Sequence, residues 1–155
     1  MNGLHLFLTL AVLGYSIYSV IVYAGRRHGN KSALSDLKAR TDTLRTLTPE
    51  ERSALQPVLI DPLKPGQAAA LLHDRVLPLE GAFVRHGLES AQGGQSLHNT
   101  LGGVDVVLPY DAMDYLTEHN RAEVVLTDKF AIVIRLNDGF DLPGGHAREQ
   151  QRRKQ

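Results

Sequence analysis

NRAEVVLTDKFAIVIRLNDG, residues 120–139, is the stretch whose reading decides the fold. Two short runs rich in β-branched and aromatic residues, 123–127 and 130–136, flank "TDK", which reads as a hairpin-like turn. "NDG" at 137–139 ends the second run with residues that favour turns. Working back toward the amino terminus, "VDVVL" at 104–108 and the run at 76–86 have the same β-rich character. Between them, "GLESAQGGQSLHNTLGG" (87–103) holds five glycines, but neither of the phosphate-loop spacings, so it reads as a long hairpin loop. "DAMDYLTEHN" (111–120) reads as a short helix with Asp111 near its start. The pieces predict an α+β fold, a small antiparallel, partly barrel-like sheet with short helices at one end.

Before the sheet, "DPLKPGQ" (61–67) is punctuated by Pro62, Pro65 and Gly66 and reads as a connection, while "QAAALLHDR" after it reads as a helix. "LTPEERSAL" (47–55) carries a clear helix start. Thr48 is placed to cap, Pro49 takes the first helical position, and Glu51 stands where a capping box is completed. Upstream, Leu34, Leu37, Leu44 and Leu47 are spaced as a narrow helical seam with Ser32 as its cap. The seam is too short for a coiled coil.

Residues 4–24, LHLFLTLAVLGYSIYSVIVYA, contain no Asp, Glu, Lys or Arg. As a helix they would span about 31 Å, near the hydrocarbon thickness of a bilayer. They are expected to be an uncleaved transmembrane anchor, with Leu4, Phe7, Leu10, Leu13, Ile17, Ile21 and Tyr23 as anchoring residues. A cleaved signal would open with a basic residue and close with small ones. Basic residues follow the run and none precedes it, and Arg26, Arg27 and Lys31 set the orientation. The expectation is a single-pass protein of the bacterial inner membrane with its amino terminus outside and its body in the cytoplasm. This divides the chain into an anchor (1–25), a basic juxtamembrane helix (26–47), an α+β domain (48–142) and a basic disordered tail (143–155). The tail could touch anionic lipid of the inner leaflet.

The whole-chain numbers narrow the chemistry. Of 155 residues, 17 are basic and 17 acidic, which argues against a general nucleic-acid binder. The lack of cysteine excludes disulfides, thiolate metal sites and thiol nucleophiles. Seven histidines are scattered without an H-x-x-x-H pair. His86 and His98 could meet across a loop, though single exposed histidines are the ordinary outcome, and no metal site or cofactor is expected. Ser96 lacks a nucleophile elbow. Asp111, Asp114 and Glu118 could share a helical face, but without a cleft they read as solvated surface. Neither an enzyme nor a small-molecule substrate is expected.

"LTPEERSA" (47–54), "AFVRHG" (82–87), "VDVVLP" (104–109) and the 120–139 stretch, taken in that order, resemble the first cytoplasmic region of the intracellular growth attenuator family (IgaA/UmoB/YrfF). The resemblance covers most of residues 1–142. It implies an inner-membrane regulator that restrains an Rcs-type envelope-stress phosphorelay through contacts with a membrane protein partner such as RcsD. It also implies a small β-barrel-like fold. Family members are several-fold longer, with further spans and a periplasmic domain. The expected function is a single-span interaction module, with Arg85, His86, Tyr110 and Asp128 as candidate contacts on strand edges and loops. The alternative is an accessory scaffold subunit of an envelope complex that docks through its transmembrane helix.

Overall fold

The computed structural model describes residues 3–59, 69–89 and 95–155, with side chains described in those ranges except at 3–8, 10, 23, 26–30, 86–89 and 95–98. The first helix, α1 (Gly3–Ala39), runs unbroken through the apolar stretch, the basic junction and the first half of the leucine seam. Leu34 and Leu37 are buried, whereas Leu44 lies past the helix end and is exposed. The helix stops before Thr41-Asp42-Thr43, a run of poor helix formers. Beyond it the Leu44 N–H donates to the Val76 carbonyl at 3.0 Å, drawing the chain into the sheet.

Among the described residues no helix is long and apolar enough to cross a membrane. That overturns the anchor expected at residues 1–25, the single-pass inner-membrane localisation, and the scaffold reading that docks through a span. The apolar run with fully described side chains, 11–22, is about 18 Å long against the ~30 Å of a bilayer core, and it carries Tyr15, Ser16, Tyr18 and Ser19. Ser16 Oγ donates to its own helix at Val12 O (2.8 Å). Leu13, Ile17 and Ile21 are exposed, as is Lys31. The side chains of Leu4, Phe7, Leu10, Tyr23, Arg26 and Arg27 lie outside the described set.

Eight strands follow, interleaved with helices. In chain order they are β1 (Arg45–Thr46), α2 (Pro49–Leu55), a 3-10 turn (Gln56–Val58), β2 (Arg75–Gly81), β3 (Phe83–Glu89), β4 (Gln95–Leu101), β5 (Val104–Val107), a second 3-10 turn (Ala112–Tyr115), β6 (Asn120–Leu126), β7 (Ala131–Leu136), β8 (Phe140–Asp141) and α3 (Leu142–Arg152). The strand order is β1-β2-β6-β7-β5-β4-β3, with β8 beside β7. The sheet is mixed where an antiparallel one was expected, because β5 pairs parallel with β7. The second 3-10 turn and all of β6 separate these two strands in sequence, a crossover of the kind a parallel pair requires.

The expected strand at 76–86 is two strands hinged at Gly81. A Cβ on Gly81 (φ 149) would lie 2.6 Å from Gly102 Cα, and one on Gly102 (φ 56) would lie 2.5 Å from the Glu80 carbonyl oxygen. Two glycine backbones therefore meet where no side chain fits. Strands β2 and β3 are one residue apart in the chain, yet β3 ends the strand order and β2 is next to its other end. The sheet must roll for both to be true. The glycine-rich region read as a long loop is mostly the β3–β4 hairpin, in register from Phe83↔Leu101 to Glu89↔Gln95. The turn at 90–94 and the connection at 61–67 lie outside the described residues. The stretch at 69–74 is not helical, and Leu71 bridges to Thr127.

The central strands are buried on both faces. Leu77 and Leu79 of β2, Val124 and Leu126 of β6, and Ala131 and Val133 of β7 face an inner cluster with Leu34, Leu37, Leu101, Val106 and Phe140. Val76, Val125, Ile132 and Ile134 face an outer cluster with Ala54 and Leu55 of α2 and Leu142 of α3. Register shifts between Glu123 and Val124, which pair with Arg135 and Val133, so Ile134 is the extra residue of a bulge. The bulge reverses the alternation, and Leu136 joins the inner cluster. Asn137 (φ 50) and Asp138 (φ 57) then form a type I′ turn closed by Gly139 N–H to Leu136 O at 3.1 Å.

Candidate functional site

The capping box forms as read, with the Thr48 hydroxyl accepting from Glu51 N–H (3.2 Å) and the Glu51 carboxylate accepting from Thr48 N–H (3.0 Å). Glu51 does more than cap. It is 3% exposed and accepts both Arg45 Nη1 (2.7 Å) and Nη2 (2.6 Å), while Arg45 also donates to Glu123 through Nη2 (2.6 Å) and Nε (3.0 Å). Arg135 Nε stands 3.9 Å from both carboxylates. One arginine on a two-residue strand thus ties α2 to β6. Burial would raise the Glu51 pKa, but the hydrogen bonds from Arg45 and Thr48 and the charges of Arg45 and Arg135 outweigh it and hold the carboxyl below the usual range. Glu51 in turn pushes the Arg45 pKa further up. The sequence singled out neither Arg45, Glu123 nor Arg135, because nothing local links residues 45, 51 and 123.

Beside this cluster an open groove of about 530 Å³ runs between Leu44 and the Asn137–Gly139 turn, floored by Pro78, Arg121 and Glu123. Its charges are mixed, with Glu80, Asp138 and Asp141 against Arg121 and Arg135. Glu80, Arg121, Asp138 and Asp141 lie open to water, the ordinary setting of a solvated protein surface, while Glu123 is half-buried against Arg45.

The expected disordered tail is instead α3. Asp141 caps it by accepting Gly144 N–H at 2.9 Å, Pro143 sits in its first turn, and Leu142 and Gly145 are buried against the body. Arg148 makes a bidentate pair with Asp111 (Nε–Oδ2 2.5 Å, Nη2–Oδ1 3.0 Å) and lies 5.8 Å from the Tyr115 ring centre. The Arg148 hydrogen bond holds the Asp111 carboxyl below the usual range, with burial opposing it. Asp111 is therefore a docking residue and a poor proton donor. Asp114 and Glu118, the other members of that proposed face, are exposed.

The four candidate contacts do not converge. Tyr110, at φ 53, donates its hydroxyl to Ala54 O (2.8 Å) and lies 5.4 Å from the His146 ring, so it joins the α2 and α3 sides of the molecule. Burial pushes its phenol pKa up. Asp128 is exposed, yet its carboxylate accepts Ala70 N–H (3.1 Å) and its carbonyl accepts Lys38 Nζ (3.1 Å), which fastens a turn. Arg85 and His86 lie on β3, which ends the strand order and, among the described residues, pairs only with β4. Arg85 is exposed, with Nη2 2.9 Å from Met113 Sδ. The side chain of His86 is outside the described set, but its backbone stands directly opposite His98.

Strand β3 is the feature best suited to binding. It is seven residues long, about 23 Å. It contains no proline, and its pairing with β4 carries no register shift. Val84 at 44% and Arg85 are exposed on it. The opposite edge, β1, is only two residues long. Proteins commonly blunt edge strands with shortness, charge, proline or bulges. The β1 edge is protected by its shortness, whereas β3 is long, has neither proline nor bulge, and carries the charge of Arg85.

Among the described residues no group of three or more His, Asp or Glu is assembled to hold a metal ion. No family model and no curated protein matches the chain. The chain is similar to a solved structure described as "Shotgun proteolysis: A practical application", at 30% identity, over 67% of this chain and 98% of that one, with a TM-score of 0.48.

Proposed function

We propose that the chain is a regulatory protein–protein interaction module that captures a partner by adding a strand to the β3 edge. The observation that carries this reading is the seven-residue strand β3 at one end of the strand order, with β4 as its one partner strand among the described residues. An extended segment laid along it would gain main-chain hydrogen bonds, with Val84 and Arg85 reading its side chains. The partner class comes from the intracellular growth attenuator resemblance, which points to a phosphotransfer protein such as RcsD. Restraint would follow if the captured segment were one that the phosphorelay needs free. The chain acts by binding, without a reaction of its own. The test is photo-cross-linking from positions 82 and 84 to purified RcsD, compared with Arg85→Pro. Gly102 N–H donates to Ala82 O, so in the unshifted register Val84 bonds β4 while the Arg85 N–H faces the edge, and proline at 85 removes an outward donor. The reading expects cross-links from both positions and their loss in R85P. Equal cross-linking in R85P rules out strand addition, and none from either position rules out this partner.

A further inference from the structure

The ladder that pairs β3 with β4 also sets two histidines opposite each other in register. His86 and His98 occupy directly opposed positions in an unshifted antiparallel register. Opposed residues of such a pair share one face of the hairpin, with Cβ atoms about 4.5–5.5 Å apart. Imidazole nitrogens bind zinc at about 2.0–2.1 Å, so a single ion bridges two histidines set at that spacing. By strand alternation the neighbours on the same face are Val84, Leu88, Ser96 and Thr100, none of which supplies a nitrogen or thiolate ligand. We propose that His86 and His98 form a two-histidine site on the β3–β4 hairpin for a divalent transition metal such as Zn²⁺ or Ni²⁺. The remaining coordination positions stay open to water or to a donor from a bound partner.

Imidazole suits this class of ion, whereas Mg²⁺ and Ca²⁺ require oxygen ligands. The bound ion clamps the two strands across the hairpin, so binding adds to stability by mass action. Both imidazoles must be neutral to ligate, so acid releases the metal. The inference is independent of the partner reading: the hairpin binds metal or does not, whatever the edge captures.

The experiment is thermal unfolding of the full chain at pH 7.5 with Ni²⁺, Zn²⁺ or Mg²⁺, together with amide NMR spectra under sub-stoichiometric Ni²⁺. The expected result is an upward shift of the melting midpoint with Ni²⁺ and Zn²⁺ but not Mg²⁺, reversed by EDTA. The shift is lost in His86→Ala and in His98→Ala and kept in His119→Ala and His146→Ala. Paramagnetic broadening by Ni²⁺ centres on residues 84–88 and 96–100. The spectra of the parent protein settle the matter even if a variant folds poorly. A shift that survives both hairpin substitutions, or broadening centred on another histidine, overturns the site.

Discussion

Replacing Glu51 with alanine tests the electrostatic account of the fold most directly. The carboxylate is almost wholly buried and accepts three hydrogen bonds, two from Arg45 and one from Thr48 N–H. Removing one partner of a buried ion pair costs about 3–5 kcal/mol, because the other charge is left without compensation. Here Arg45 keeps Glu123 and is 26% exposed, which places the pair near the low end of that range. Loss of the capping box adds about 1 kcal/mol. The expectation for Glu51→Ala is therefore a loss of about 3–4 kcal/mol. Glu51→Gln keeps the acceptor for Thr48 N–H and loses the charge, so it should cost about 2 kcal/mol, the value of a hydrogen bond to a charged group. The double variant Arg45→Met/Glu51→Leu removes both charges and should recover much of the loss. The folded pKa of Glu51 lies below its unfolded value, so this stability is present above the unfolded pKa and disappears as pH falls through the folded one. The acid limb of the stability profile should flatten in Glu51→Gln. Urea unfolding followed by circular dichroism gives each value from the midpoint at constant m. If Glu51→Ala stays within about 0.5 kcal/mol of the parent, or the double variant loses as much as the two single changes summed, the pair does not hold α2 to the sheet.

Three further outcomes follow from particular contacts. Asn120 is fully buried, accepts Thr117 N–H (2.8 Å) and Asn137 Nδ2 (2.8 Å), and donates to Thr117 O (2.9 Å). Asn120→Leu should cost about 2 kcal/mol in urea unfolding by removing these part-buried hydrogen bonds to Thr117 and Asn137. Gly102→Ala should cost more than 2 kcal/mol, roughly the left-handed penalty plus a clash with the Glu80 carbonyl. Gly103→Ala, also at positive φ but facing open space, should cost only about 1 kcal/mol. Arg148→Met should loosen the docking of α3 on Asp111, seen as faster amide exchange across 142–152 with about 1 kcal/mol lost overall. Asp111 has its folded pKa below its unfolded one, so in the parent the protection of the same amides, corrected for the intrinsic exchange rate, should fall as pH falls through the folded value.

What the sequence disclosed and what it withheld differ by the range of the interactions involved. The capping box and the pair of strands in 120–139 were legible because turn chemistry and strand period act within a few residues. The strand at 76–86 misled because a β-rich run with apolar residues on both sides of Gly81 looks the same whether or not the chain turns there. Only the opposing Gly102, some twenty positions on, shows why that turn is permitted. Leu142-Pro143-Gly144-Gly145 has poor intrinsic helix propensity, and α3 forms because Asp141 caps it and Asp111 holds Arg148. The amino-terminal run misled in another way. Its composition invited a bilayer, while the structure gives α1 two buried leucines in the core and leaves Val12, Leu13, Tyr15 and Ile17 exposed.

The candidate contacts were chosen as loop and edge residues, and that criterion cannot separate a residue that fastens a turn from one that faces a partner. Asp128 and Tyr110 are spent on internal hydrogen bonds to Ala70 and Ala54. Arg85 and His86 stand on the open edge, and the reason lies in the strand order and not in either residue. Strand β2 passes into β3 at the close contact of Gly81 with Gly102, and among the described residues β3 has β4 as its one neighbour. A larger residue at 81 or 102 would be expected to disturb both stability and binding, whereas an edge substitution such as Arg85→Pro, at a position whose N–H faces away from β4, should spare the first and abolish the second.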